Sequence, residues 1–169
     1  VIRTLLLATI GALGCLTHWC GPARASTTTE AALAVACPGH ADLAKHVDRA
    51  ARTHLLHPVT LVALISNESH CDTMAVNHRS GALGLGQILP GRSADLPGRY
   101  LLDPADNLYL TARHLSGLLL LCGSLAGAVH VYHGHRKCSG WRRDWYAKRV
   151  AGDVERIWRE MRRQREGRS

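Results

Sequence analysis

Val59-Thr60-Leu61-Val62-Ala63-Leu64-Ile65-Ser66-Asn67-Glu68-Ser69 is the stretch on which the fold turns. It is apolar on most sides rather than along one stripe, so a helix formed here must be surrounded by others. His57-Pro58 interrupts what comes before, and proline suits a first helical turn. A buried central helix from Pro58 to about Ser69 is therefore predicted. It ends in a carboxylate, Glu68. A carboxylate held against apolar surface loses solvation in its charged form, and its pKa rises. An acid still protonated near neutral pH can give a proton to a leaving group, as glycosidic bond cleavage requires. A Glu on the open side of a helix end would do nothing of the kind, so the neighbouring residues must decide.

The surrounding segments read as more helices. Ala41 to Leu56 places Leu43, Val47, Ala50 and Ala51 on one face. Asp103 can cap a helix with Pro104 in its first turn, carrying Leu108, Leu110, Ala112, Leu115, Leu118 and Leu119 inward until Cys122-Gly123. Ser124 opens another through Tyr132, which Gly134 stops. Tyr146, Val150, Val154, Ile157, Trp158 and Met161 then recur at helical spacing. Asn77 to Gly86 is rich in turn residues, with a short helix predicted through Ile88 and Leu89 and a loop over 91–99. Strand signals are nearly absent, and there is no internal repeat. The expectation is a mostly α single domain over 37–140, preceded by a small-residue linker at 26–36 and followed by a basic amphipathic helix at 141–169.

The first 25 residues look like a secretory signal peptide. Arg3 supplies a positive start, Thr4 to Leu16 are mostly apolar, and Ala23-Arg24-Ala25 forms an A-x-A cleavage site. Lipid attachment at Cys15, after Ala12-Leu13-Gly14, is the alternative, with Ala where such sites usually carry Leu. Val1 in place of Met suggests a non-standard start codon or a fragment. An exported protein, periplasmic or extracellular after cleavage, keeps four cysteines: Cys37, Cys71, Cys122 and Cys138. An even count in an oxidising compartment reads as two disulfides, with three pairings open.

The net charge of +8 is unevenly placed. From Ser26 to Gly140 there are nine basic and eight acidic residues, but from Trp141 to Ser169 ten and five. The surplus belongs to the C-terminal helix. An exported protein rarely meets nucleic acid, so none is expected as a partner. Anionic envelope polymers or lipid head groups suit the basic face better. A plain solvated face would look the same in sequence.

Four blocks then carry a resemblance: Ala63-Leu64-Ile65-Ser66-Asn67-Glu68-Ser69, Gly81-Ala82-Leu83-Gly84-Leu85-Gly86-Gln87-Ile88-Leu89-Pro90, Asp103-Pro104-Ala105-Asp106-Asn107-Leu108, and Ala128-Val129-His130-Val131-Tyr132-His133-Gly134. In this order they resemble the catalytic domain of the soluble, goose-lysozyme-like lytic transglycosylases. The resemblance implies a lysozyme-like helical fold acting on peptidoglycan glycan strands without a cofactor. It implies Glu68 as the sole acid and base. The muramic acid's own C6 hydroxyl closes a 1,6-anhydro ring, so no second carboxylate is needed, unlike the usual glycosidase pair. It also implies a substrate-binding role for Ser69, Gly84, Gln87, Tyr132 and His133, with the Tyr132 hydroxyl facing Glu68. Asn107 looks structural. Gly86 stands where the family usually has Met, which would widen the cleft, and His133 where it has Asn, which would add pH dependence. Such enzymes often serve secretion, conjugation or pilus machinery, and a prophage origin fits as well.

Rival readings remain in view. A muramidase would hydrolyse the same bond, with Asp72 or Asp95 positioning water. A wall-binding protein could keep the fold without activity. His133, His135 and Cys138, with His70 and Cys71, offer metal-ligand types, but no paired ligand spacing exists, so no metal is expected. Cys71 lies near histidines, yet no oxyanion or orienting signature accompanies it. A Cys71–Cys138 bond would brace Glu68 near Tyr132, one of the three pairings.

Overall fold

The computed structural model describes residues 27–92 and 98–167. The signal-peptide and Cys15 readings and Asp95 lie outside them. Six α-helices are present among the described residues: α1 Thr27–Ala36, α2 Ala44–Thr53, α3 Pro58–Ser69, α4 Pro104–Cys122, α5 Leu125–Tyr132 and α6 Trp145–Glu166. No extended strand accompanies them there. Two isolated bridges, Val76 with Leu83 and Leu83 with Ile88, fold the glycine-rich segment back on itself. The mostly helical expectation holds.

The central helix is α3. The His57 ring caps it by accepting from the Val59 amide at 3.2 Å, and Pro58 occupies the first turn. Val59 and the five residues from Leu61 to Ile65 are fully buried. Consecutive side chains point into two separate clusters, because a helix turns about 100° per residue. Ile65 packs with Leu33, Val47, Leu108, Ile157 and Met161. Leu64 packs with Leu115, Leu118, Val129, Tyr146 and Val150. Each such aliphatic side chain contributes about 1.5–3 kcal/mol by leaving water. Glu68 is thus held by a helix gripped on both sides.

Two features differ from the sequence reading. Within the stretch read as a linker, Thr27–Ala36 forms helix α1, with Thr29, Ala32 and Leu33 buried. Thr29 donates to the buried Asp48 carboxylate of α2, whose other oxygen takes Arg52 Nη1 at 2.8 Å. Small residues let the two helices approach, and one buried acceptor docks them. The C-terminal helix forms as expected, as α6, with its apolar stripe turned inward. Tyr146, Val150, Ile157 and Met161 of α6 belong to the core. Second, no helix runs through Ile88 and Leu89; a single 3-10 turn, Pro90–Arg92, follows them. The chain turns at Gln87 (φ 50°), and Leu83 and Ile88 exchange backbone hydrogen bonds at 3.0 Å.

The cysteines pair as Cys37–Cys71 and Cys122–Cys138. A Cys71–Cys138 bond is thereby excluded. The first bond ties the end of α1 to the residues just past α3. The second closes the α4–α5 corner against the loop before α6.

Candidate active site

Glu68 lies in the last turn of α3. The helix ends because His70 and Cys71 turn left-handed (φ 54° and 66°), and the His70 amide bonds back to Ile65 and Ser66 carbonyls. Cys71 is locked to Cys37, so the turn after Glu68 is anchored covalently. Beside it, Asn67 Nδ2 reaches Asp153 Oδ2 of α6 at 2.9 Å. One residue on, the Tyr146 hydroxyl of α6 donates to Glu68 Oε1. Adjacent α3 residues therefore grip α6 at two points.

The environment sets the acid strength of Glu68. Burial raises its pKa, and the Tyr146 hydrogen bond, which favours the carboxylate, opposes that. Burial prevails, and the pKa rises to about 7. Tyr146 and Tyr132 both have hydroxyls pushed well above the usual range, by burial first and the nearby Glu68 charge second. Both remain neutral donors at physiological pH.

The opposite wall is the glycine segment, pinned by Asn107 in the first turn of α4. Asn107 Nδ2 donates to Leu83 O at 2.9 Å and Leu101 O at 2.7 Å, and its Oδ1 accepts from Gly86 N at 2.8 Å. Tyr132, the last residue of α5, donates to Gly86 O at 2.6 Å. A Cβ on Gly84 would lie 2.3 Å from Leu101 O, and one on Gly86 would lie 1.8 Å from Thr111 Oγ1. Both positions need glycine so that the segment can lie flat on α4. Around Tyr146 the His133 ring stacks at 4.2 Å, and Trp145, largely exposed, meets both rings edge-on. Asp144 caps α6, accepting from Tyr146 N at 2.9 Å with Oδ1 while His130 Nδ1 sits 2.7 Å from Oδ2.

Residues 45–151, well over half of the chain, match the family described as Transglycosylase SLT domain. The chain belongs to this family. No curated protein and no solved structure gives a significant match. The SLT domain carries lytic transglycosylase activity on peptidoglycan, and its lysozyme-like helical form agrees with the six helices. None of the helices among the described residues is long and apolar enough to cross a membrane.

Within this SLT domain the residues singled out in the sequence take distinct places. Tyr132 bonds the Gly86 carbonyl, and the hydroxyl on Glu68 comes from Tyr146 instead. Ser69 is buried and donates to Ile65 O at 3.1 Å, within its own helix. Gln87 Nε2 donates to Gly84 O at 3.0 Å, bracing the turn it occupies. Gly84 packs against backbone of 101 and the Asn107 amide, and Gly86 against Thr111. Gly86 therefore lets α4 in rather than widening a cleft. His133 lies against the tyrosine that holds Glu68. Asp72 is exposed, and its Oδ1 accepts from Met74 N at 2.8 Å, closing a turn. Tyr146 was hidden in the sequence as one more member of an apolar stripe. The available signal was its hydroxyl, since a tyrosine buried at a helix start needs an acceptor.

Proposed function

We propose that this chain is a lytic transglycosylase that cuts the β-1,4 bond between N-acetylmuramic acid and N-acetylglucosamine and leaves a 1,6-anhydro end. One observation carries this reading: a half-buried Glu68 with its pKa raised to about 7, held by a neutral tyrosine hydroxyl. At neutral pH such a group exists in both protonation states, as one residue serving first as acid and then as base requires. Protonated Glu68 gives its proton to the glycosidic oxygen, the bond from C1 to that oxygen breaks, and N-acetylglucosamine leaves. The carboxylate then takes the proton of the muramic acid C6 hydroxyl, whose oxygen bonds C1. Glu68 ends protonated, and no water is consumed.

Tyr146 supports this cycle by fixing one carboxylate oxygen and favouring the ionised form between the two steps. The exposed Trp145 and half-exposed His133 beside it offer flat apolar surface suited to a pyranose ring. The exposed face of α6, with Lys148, Arg149, Arg159, Arg162 and Arg163, supports contact with anionic envelope polymers. With the export signal read in the first 25 residues, the setting is the periplasm or the cell exterior, serving a secretion, conjugation or pilus machine.

Mass spectrometry of digested peptidoglycan tests the reaction. Anhydro-ended muropeptides are expected, and their loss in Glu68→Gln with helicity unchanged. Reducing-end products would make the chain a muramidase. Full activity in Glu68→Gln would remove Glu68 from the mechanism.

A further inference from the structure

Three segments meet just before α6: His130 from α5, His135 from the loop after Gly134, and Asp144, the helix cap. His130 Nδ1 lies 2.7 Å from Asp144 Oδ2, and His135 Nε2 lies 3.8 Å from the same oxygen. The two imidazole rings stack with centroids 3.8 Å apart and planes 12° apart. One ligand atom from each residue falls within 4.8 Å of the others. His130 and Asp144 are buried, while half of the His135 side chain is exposed. The cluster is closed toward the core and open toward solvent.

We propose that His130, His135 and Asp144 form a binding site for a divalent transition cation of the zinc, nickel or copper class. Two imidazoles and one carboxylate are a donor set that such ions prefer over magnesium or calcium. Bonds of about 2.0–2.2 Å to a tetrahedral ion separate neighbouring donors by roughly 3.3 Å, and the observed 2.7 and 3.8 Å bracket that spacing. Asp144 Oδ1 is already engaged by the Tyr146 amide, which orients Oδ2 toward the histidines. Stacked rings aim their lone pairs in parallel planes, so one ring must turn to share an ion. His135 is the ring that turns: it follows Gly134, whose φ of 110° only glycine adopts freely, and its side chain is half exposed. Water fills the remaining coordination position on the open side. The four cysteines among the described residues are in disulfides and take no part. A bound ion fastens the loop that carries His133 to the start of the helix that carries Tyr146, independently of what Glu68 does chemically.

The test uses the full chain with its disulfides intact, stripped with chelator. Zinc is titrated by calorimetry, and thermal unfolding is followed with and without it. One zinc per chain is expected, with Tm raised by several degrees. His135→Ala should weaken binding about tenfold or more, while its metal-free Tm and helicity match the unsubstituted chain. Asp144→Asn, which keeps the cap acceptor but removes the charge, should also weaken it. His78→Ala, an exposed histidine elsewhere, should leave it unchanged. Absence of binding up to millimolar zinc, or binding that survives His135→Ala undiminished, overturns the site.

Discussion

The Tyr146 hydroxyl donates to Glu68 Oε1 across 78 residues of sequence, joining the first turn of α6 to the last turn of α3. That bond sets the acid strength of Glu68 against the opposing pull of burial. Removing the hydroxyl removes the one influence that favours the carboxylate. Tyr146→Phe should therefore move the alkaline limb of the activity profile to higher pH. Turnover should fall about ten- to a hundredfold, the worth of a hydrogen bond to a charged group. A pH–rate series on the variant measures both. A limb that stays in place would show that this bond does not tune Glu68.

In the mechanism proposed above the acid form of Glu68 begins the reaction, and its pKa is about 7. Turnover should accordingly fall as pH rises past neutrality. Glu68→Gln should lower it about 10²–10⁴-fold, the usual contribution of a positioned acid or base, and abolish that limb. Muropeptide release against pH checks the expectation.

The same shift affects stability. The folded pKa of Glu68 lies above its ordinary value of 4.5, so the folded state binds the proton more tightly than the unfolded chain. Its contribution is fully present below about pH 4.5 and is lost as pH rises through about 7. Glu68→Gln, which cannot ionise, should be more stable than the unsubstituted chain at pH 8, with the gap closing toward pH 4. Thermal melts at both pH values would show it.

A Gly86→Ala substitution should be destabilising. Its Cβ would lie 1.8 Å from Thr111 Oγ1 and 2.8 Å from Thr111 Cβ. Overpacking of this kind costs about 1–3 kcal/mol. Adding Thr111→Ala removes the nearer atoms and should recover part of the loss, a coupling that a double-mutant cycle detects.

Peptide mapping of the oxidised protein should recover Cys37–Cys71 and Cys122–Cys138. These bonds span 34 and 16 residues. Loop closure of that order stabilises by about 3–4 kcal/mol each. Replacing Cys37 and Cys71 should also lower activity, because Cys71 anchors the turn that follows Glu68. Melts and lysis assays on each double alanine variant separate the two effects.

Much of the helical frame is readable along the chain because its signals are local. Pro58 and Asp103-Pro104 mark helix starts, Gly123 a helix end, and the run from Val59 to Ile65 shows burial in its lack of a polar face. Residues 27–36 mislead for a physical reason. Four alanines, Leu33 and Glu30 favour a helix, but ten residues are too few to hold one alone, and α1 forms because Thr29, Ala32 and Leu33 find α2, α3 and α6 to pack against. The segment after Gly86 misleads in the opposite sense. Its apolar residues suit a helix, but Leu83 takes both backbone groups of Ile88, and Asn107 and Tyr132, distant in sequence, fix the backbone of Leu83 and Gly86.

The sequence alone determined the helical class, the acid at the end of the buried helix and the family-like blocks around it, since each depends on neighbours a few residues away. Tertiary structure alone decided which tyrosine touches Glu68, which cysteines pair, and that His130, His135 and Asp144 converge. These are contacts between segments, and periodicity does not encode which side chains meet once helices pack. Burial raises the Glu68 pKa and a hydroxyl 78 positions away restrains it. The residue was legible in the chain, and its acidity belongs to the fold.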